Sequence, residues 1–124
     1  TALLARVPEL AIVIGHEPHL PRLMRAGGAG TICGVANILP GLVRALLTPE
    51  AAAGDEARIA AFIDIAFRQP LMAGFKSMLA DQRNDPGWLA VRPPLTPLTD
   101  AQRTTLRAAL ARAGLALPNA AAQQ

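Results

Sequence analysis

A chain of 124 residues that is 52% hydrophobic and 3% aromatic is long enough for one small domain and too apolar to be disordered throughout. Its apolar runs stop short of the roughly 18 residues that a membrane span needs, and no basic-then-apolar leader opens it, so we expect a soluble, cytoplasmic protein. The net charge is +3, but the basic residues are dispersed, which argues against a nucleic-acid-binding surface.

The first half of the chain alternates short apolar runs with helix signals. Residues 1–6 predict the tail of a helix that Pro8 ends. The run at residues 10–14 predicts a strand buried on both faces. A helix is expected from Pro18 onward, and the glycine pair at residues 27–28 ends it.

A second apolar run, at residues 30–35, predicts a second buried strand, which contains the single cysteine, Cys33. One cysteine excludes an internal disulfide and is typical of a reducing compartment. Its apolar surroundings favour a protonated, unreactive thiol. Asn37 then predicts the N-cap of a helix that carries apolar residues from Ile38 to Leu47.

The second half of the chain predicts helices and one extended arm. Asp55 is expected to cap an amphipathic helix that Pro70 follows, and a further helix runs up to residues 84–87. The proline-rich residues 92–98 predict an extended arm, and Thr99 to Gln102 form a capping box for a last helix. Residues 119–124 are expected to be frayed. The apolar positions of the first two helices are Ile59, Phe62, Ile63, Ala66, Phe67, Met72, Phe75, Met78 and Leu79.

Strand, helix and strand in this order make a βαβ unit, which is expected to be right-handed. The loops at the carboxyl ends of such strands are where α/β folds carry their chemistry. Two strands alone leave both outer edges of the pair without hydrogen-bond partners. We therefore expect either strands from outside this chain or a second copy to complete the sheet.

Several motifs follow one another in a specific order and spacing. They are Gly15-His16-Glu17, the run GGAGTI at residues 27–32, Ala36-Asn37, Lys76 within GFK, and RPPLTPL at residues 92–98. Together they resemble the C-terminal part of the dihydrodipicolinate synthase / N-acetylneuraminate lyase family. Each motif alone is weak, but the resemblance covers nearly the whole chain.

The resemblance implies an α/β fold, the C-terminal portion of a (β/α)8 TIM barrel with a helical C-terminal extension. Residues 10–14 would be strand seven and residues 31–35 strand eight. Residues 1–54 would form the last two β/α units, and residues 55–124 the last barrel helix region and the extension. Because such a barrel takes about 250 residues, we expect roughly the first six strands to lie outside this chain.

The resemblance also implies a Schiff-base-forming, class I lyase or aldolase that acts on pyruvate or another 2-keto acid together with an aldehyde. The family carries its imine lysine on strand six and a proton-shuttling tyrosine on strand five. This chain has no tyrosine, and its one lysine, Lys76, lies on a predicted helix. Imine catalysis needs a lysine whose pKa is lowered in a dry pocket, so we expect no catalytic residue here and an inactive isolated chain. The family further implies no cofactor and a homo-oligomer, a dimer or tetramer.

Five residues are carried over from the family as substrate-binding candidates. Gly15 would let the substrate approach the backbone, Glu17 would hold its polar groups, and His16 would help to select it. Ile32 would form an apolar wall, and Gly34 would leave room in the pocket. Four of the five have a local alternative: Gly15 serves a turn, His16 lies on the loop surface, Glu17 favours the N-terminus of the following helix, and Ile32 belongs to the core.

The sequence also leaves other kinds of site and function to consider. His16, Glu17, His19 and Cys33 suggest metal ligands, but Pro18 breaks the helical register that would align them, and no metal is expected. The apolar stripe at Ile59, Phe62, Ile63 and Phe67 supports an alternative, a non-catalytic helical interaction module. A small basic nucleic-acid binder has only the charge in its favour.

Overall fold

The computed structural model describes residues 2–115 and residue 117. The chain divides into two compact units, Thr1–Ala60 and Ala61–Gln124. The predicted frayed residues 119–124 lie outside the described residues. Among the described residues, no helix is long and apolar enough to cross a membrane.

The first unit holds the two strands. In chain order its elements are α1 (Ala2–Arg6), β1 (Val13–Ile14), a 3-10 helix (Glu17–His19), α2 (Leu20–Arg25), β2 (Gly30–Thr31), a second 3-10 helix (Val35–Asn37), α3 (Pro40–Ala45) and the first part of α4 (Ala53–Ala66). The two strands are parallel, with Val13 opposite Gly30 and Ile14 opposite Thr31. A βαβ order is therefore confirmed.

The strands are shorter and more exposed than the apolar runs predicted. Each contains two residues, and within the described part of the chain each pairs with the other alone. Val13 is 48% exposed and Leu10 is 56% exposed, so the prediction of strands buried on both faces is wrong for this structure. Among the described residues, ladder hydrogen bonds reach each strand from one side only.

The turn after α2 follows the predicted glycine signal. Gly27 adopts φ +85°, where a side chain would be strained. The Gly27 N–H donates to the Met24 carbonyl at 3.0 Å, and the Gly28 N–H donates to the Leu23 carbonyl at 2.9 Å. This Schellman arrangement satisfies the last carbonyls of α2 and turns the chain into β2.

Two predicted N-caps are wrong. Asn37 closes the second 3-10 helix, where its side-chain amide donates back to the Gly34 carbonyl at 3.1 Å, and α3 begins only at Pro40. Asp55 lies inside the first turn of α4, which begins at Ala53. In both places the polar side chain bonds locally, which is the competing use of such residues. The buried apolar residues of this unit include Leu20, Val35, Ile38, Leu42, Val43, Leu46 and Ile59.

The second unit is helical. It contains the rest of α4, then α5 (Leu71–Arg83), a 3-10 helix (Pro86–Leu89) and α6 (Asp100–Arg112). The rings of Phe62 and Phe75 lie 6.2 Å apart. The predicted capping box is confirmed, because Thr99 and Gln102 bond each other reciprocally at the start of α6.

The apolar stripes of α4 and α5 are buried except at one end of each. Phe67, just after α4, is 59% exposed, and Met72, in the first turn of α5, is 54% exposed. Residues 92–98 form no helix, as their prolines predicted. The buried apolar residues of this unit include Phe62, Ile63, Ala66, Ala73, Phe75, Met78, Leu79, Leu98, Leu106, Leu110 and Leu115.

Candidate functional site

The candidate site lies at the carboxyl ends of the two strands. Because β1 and β2 are parallel, the residues that follow them emerge at the same edge. The Ile32 N–H donates to the Ile14 carbonyl at 3.1 Å, and the Thr31 hydroxyl donates to the same oxygen at 2.7 Å. These two bonds fix the end of one strand against the end of the other.

Glu17 is the buried charged residue of this edge. It opens the 3-10 helix after β1 and is only 4% exposed. Its carboxylate acts on the thiol of Cys33, which follows β2. The structure therefore places Glu17 near enough to Cys33 to influence its thiol, a pairing that the sequence analysis considered only as part of a metal-ligand set. The signal available was the parallel register, since Glu17 comes three residues after Ile14 and Cys33 two residues after Thr31.

The Cys33 thiol is half-buried and protonated. Burial raises the pKa of the thiol most, hydrogen bonding from the Ala36 N–H and the Thr31 hydroxyl lowers it in part, and Glu17 raises it again. A raised pKa keeps the thiolate fraction small at neutral pH. Cys33 is therefore a weak nucleophile, as its apolar surroundings predicted.

His16 directly precedes the 3-10 helix, His19 is its last residue, and both side chains are exposed. Their ring centroids lie 4.8 Å apart, and the rings are tilted by 46°. Among the described residues, no group of three His, Cys, Asp or Glu side chains is arranged to hold a metal ion. The edge thus offers one buried carboxylate and two exposed imidazoles.

Ile32 departs from its expected place in the core. It is 78% exposed, so the local alternative of a core residue is wrong here. It follows the last paired residue of β2, and the described residues leave most of its side chain open to solvent. Gly34 lies beside it on the surface, and its carbonyl accepts a hydrogen bond from the Asn37 N–H at 3.1 Å.

Gly15 is not required by the local backbone. A Cβ atom added there would lie 3.6 Å from the Ile32 carbonyl oxygen, an ordinary contact distance, and Gly15 does not adopt a positive φ. The turn after β1 therefore does not need glycine. This argues against the local alternative for Gly15, and its role in letting a substrate approach the backbone stays a prediction.

A second polar cluster lies in the helical unit and was missed by the sequence analysis. Arg107 binds Asp81 through two nitrogens, with its Nε 2.6 Å from Asp81 Oδ2, and Arg103 approaches the same carboxylate at 3.5 Å. These hydrogen bonds from Arg107, followed by the charges of both arginines, lower the pKa of Asp81. The i, i+4 spacing of the two arginines was the available signal.

Two cavities accompany these clusters. One of about 620 Å³ lies beside Asp81, Arg103 and Arg107, and one of about 270 Å³ is lined partly by Ile14 and His19. The lining of neither cavity includes Glu17 or Ile32. The strand-end residues form an open edge in this structure.

The chain belongs to the dihydrodipicolinate synthetase family, whose family model matches residues 2–113. The resemblance that the motifs indicated is thereby confirmed. The chain is 34% identical to the 4-hydroxy-tetrahydrodipicolinate synthase of Acidovorax sp. (strain JS42), a match that covers 91% of this chain. The crystal structure of dihydrodipicolinate synthase from Agrobacterium tumefaciens str. C58 matches with a TM-score of 0.76 at 32% identity over 89% of this chain.

The chain spans 40% of the length of the Acidovorax relative and 37% of the Agrobacterium structure. Both are synthases by name, so the family is one of enzymes of the lyase and synthase kind. A structural match over part of a larger fold is consistent with a partial barrel. None of these comparisons supports the alternative of a helical interaction module.

Proposed function

We propose that this chain supplies the last two strand–helix units of a (β/α)8 barrel, with β1 in strand seven and β2 in strand eight. Residues 1–54 would form these units, and residues 55–124 the last barrel helix region and the C-terminal extension. The parallel pairing, the exposed Val13 and Ile32, and the partial coverage of the relatives support this proposal. In a barrel, neighbouring strands would cover these apolar side chains and use the free edges.

The proposed activity is that of a class I lyase or aldolase, which forms a Schiff base with pyruvate or another 2-keto acid and joins it to, or releases it from, an aldehyde. The imine lysine would come from a strand upstream of residue 1. Lys76 is unsuited to that role, because it lies on α5 in the helical unit and remains partly exposed. A lysine nucleophile needs desolvation to lower its pKa.

The observation that carries the proposal is the buried carboxylate of Glu17 at the carboxyl edge of two parallel strands. Barrel enzymes place their chemistry at this edge. A buried carboxylate accepts hydrogen bonds strongly, so it suits the hydroxyl or amine groups of a substrate. Charges are rarely buried in a core without a partner or a function.

The other candidate residues would surround the substrate. Gly15 would admit the substrate close to the backbone, and His16, on the exposed surface, would contact its outer end. Ile32 would become an apolar wall once a neighbouring strand confines the pocket, and Gly34 would leave space beside it. No cofactor is proposed. The proposed setting is a cytoplasmic homo-oligomer, a dimer or tetramer.

The test is the intact mass of the natural gene product that contains this chain, before and after treatment with pyruvate and borohydride. We expect a mass well above the 12.9 kDa of this chain and a gain of about 72 Da for a reduced pyruvate imine. A Lys76→Arg variant of the same polypeptide serves as the control and should still gain that mass. A large polypeptide without the adduct, or loss of the adduct in Lys76→Arg, would refute the proposal.

A further inference from the structure

We infer that His16 and His19 form a two-histidine site for a divalent transition-metal ion, of the kind of Cu²⁺ or Zn²⁺. One nitrogen of each imidazole binds the ion, and water molecules complete its coordination. The site goes beyond the proposed enzyme function, because neither its geometry nor its tests involve a substrate or an upstream strand.

The backbone between the two histidines brings their rings together. His16 directly precedes the 3-10 helix Glu17–His19, and the His19 N–H donates to the His16 carbonyl at 3.1 Å. In a 3-10 helix, side chains three residues apart lie directly above one another. Pro18, the second residue of this helix, breaks an α-helical register, but its fixed φ suits the tighter turn. The spacing that argued against an α-helical site therefore aligns the two imidazoles here.

The distance between the two rings fits a shared ion. An imidazole nitrogen binds Zn²⁺ at about 2.0–2.1 Å and lies roughly 1.2 Å from its ring centroid, so each centroid would be about 3.2 Å from the ion. Ligand angles of about 90° (square-planar) and about 109° (tetrahedral) then predict centroid separations of about 4.5 and 5.2 Å. The observed separation is 4.8 Å, between these two values. Both imidazoles are exposed, so rotation about their side-chain bonds can aim one nitrogen of each at the ion.

The neighbouring polar groups define a site with two protein ligands. Glu17 is 4% exposed and Cys33 is half-buried, and among the described residues no third His, Cys, Asp or Glu completes a metal-holding group. Imidazole is the commonest protein ligand for metals, and Cu²⁺ heads the affinity order of divalent first-row ions. Arg22, which is exposed, lines the same cavity as His19, and its positive charge opposes binding of a cation.

The first test is Zn²⁺ protection against diethylpyrocarbonate in the full natural polypeptide. The reagent is attacked by the imidazole lone pair, which coordination occupies. Trypsin cleavage after Arg6 and Arg22 releases residues 7–22, in which mass spectrometry measures modification of each histidine separately. Zn²⁺ should protect both histidines over the same concentration range. In His19→Asn the concentration that half-protects His16 should rise at least about tenfold, because a lone imidazole lacks its chelating partner.

His16→Asn should have the same effect on the protection of His19. Arg22→Gln is the control, which keeps both ligands and should leave the half-protecting concentration unchanged or lower it. A plain contact between two rings predicts that each histidine responds to Zn²⁺ independently. Protection of His16 that is unchanged in His19→Asn, or no protection of either histidine at up to about 1 mM Zn²⁺, overturns the inference.

A second test counts the imidazoles on the ion by pulsed EPR of bound Cu²⁺. The protein is the full natural polypeptide with Cys33→Ala, because a thiol competes for copper. Subtracting the spectrum of the same protein with His16→Asn and His19→Asn removes copper bound elsewhere. The difference should show two imidazoles coupled to one Cu²⁺ ion. One imidazole, or no difference, overturns the inference, and neither result bears on the pyruvate adduct of the proposed enzyme.

Discussion

At the scale of the residue, the ionic cluster around Asp81 is the main electrostatic contribution within the helical unit. Asp81 lies on α5, and its partners Arg103 and Arg107 lie one turn apart on α6. The Asp81 and Arg103 side chains are 24% and 19% exposed, so solvent screens them less than a surface pair. One carboxylate therefore ties two positions of α6 to α5.

Asp81 makes folding stability depend on pH in a definite direction. Hydrogen bonds from Arg107 hold the pKa of Asp81 below its usual range in the folded protein, so the unfolded state binds its proton more readily. The contribution to stability is complete above the unfolded-state pKa of about 3.9 and is lost as the pH falls through the folded-state pKa.

We expect Asp81→Asn to lower the free energy of unfolding by about 1 kcal/mol at neutral pH. The difference from wild type should shrink as the pH approaches the acid limit of the folded state. Urea denaturation over a pH series measures both. Asp64→Asn, which breaks an exposed pair with Arg68, is the control and should cost less than about 0.5 kcal/mol. A pH-independent loss in Asp81→Asn would contradict the electrostatic explanation.

At the strand edge, the sequence correctly predicted a property that depends on neighbouring residues in the chain. The apolar surroundings of Cys33 predicted a protonated thiol, and the raised pKa agrees. The same reasoning failed for Ile32, which is exposed although its sequence neighbours are apolar. Burial depends on what packs over a side chain, and the described residues leave most of the Ile32 side chain uncovered.

At the scale of the element, the start of α6 is specified by a local motif, the capping box formed by Thr99 and Gln102. The Thr99 side chain accepts from the Gln102 N–H at 3.2 Å, and the Gln102 side chain accepts from the Thr99 N–H at 2.9 Å. Both partners lie within one turn, so tertiary packing is not needed to form the box. This explains why the four residues from Thr99 to Gln102 were enough to predict where the helix starts.

Thr99→Ala is expected to lower the free energy of unfolding by about 1 kcal/mol, because it leaves the Gln102 N–H in the first turn of α6 without its acceptor. Hydrogen exchange should accelerate in that turn, as read by mass spectrometry of the α6 peptides. Thr105→Ala, in the same helix, removes a hydroxyl that bonds only the Ala101 carbonyl and should be neutral or slightly stabilising. Equal losses in the two variants would rule out capping as the cause.

The N-caps predicted at Asn37 and Asp55 show the limit of element-level reasoning. Both residue types favour caps, yet Asn37 bonds the Gly34 carbonyl and Asp55 accepts a hydrogen bond from Arg58 at 3.2 Å. Residue type predicts that such a polar side chain binds a nearby backbone group or an ionic partner. Which partner it finds depends on where the chain turns next.

At the scale of the whole molecule, the central fact is that the chain spans about two fifths of the relatives it matches. In the described residues, β1 and β2 form ladder hydrogen bonds with each other alone. Val13, in β1, and Leu10, just before it, are exposed. Exposed apolar residues around a strand edge mark a surface that another element covers. The proposed barrel accounts for both observations.

Val13→Lys should therefore behave differently in two polypeptides. In this chain alone Val13 is 48% exposed, so the change should alter stability by less than about 0.5 kcal/mol. In the polypeptide that carries the proposed upstream strands, a buried lysine should cost several kcal/mol, roughly 3 or more, and reduce soluble yield. Thermal unfolding of both forms, with Leu95→Lys as the exposed control, makes the comparison. Equally small effects of Val13→Lys in both polypeptides would contradict the assignment of β1 to strand seven.

The sequence by itself determined the family, the order of the elements, the glycine turn after α2 and the capping box of α6. These depend on backbone conformation and on hydrogen bonds between residues close in the chain, which residue type and spacing encode directly. Only the tertiary structure decided that Glu17 is buried, that Asp81 joins two arginines and that Ile32 is exposed. Contacts between distant segments and the covering of apolar faces arise from packing, and no local pattern records them.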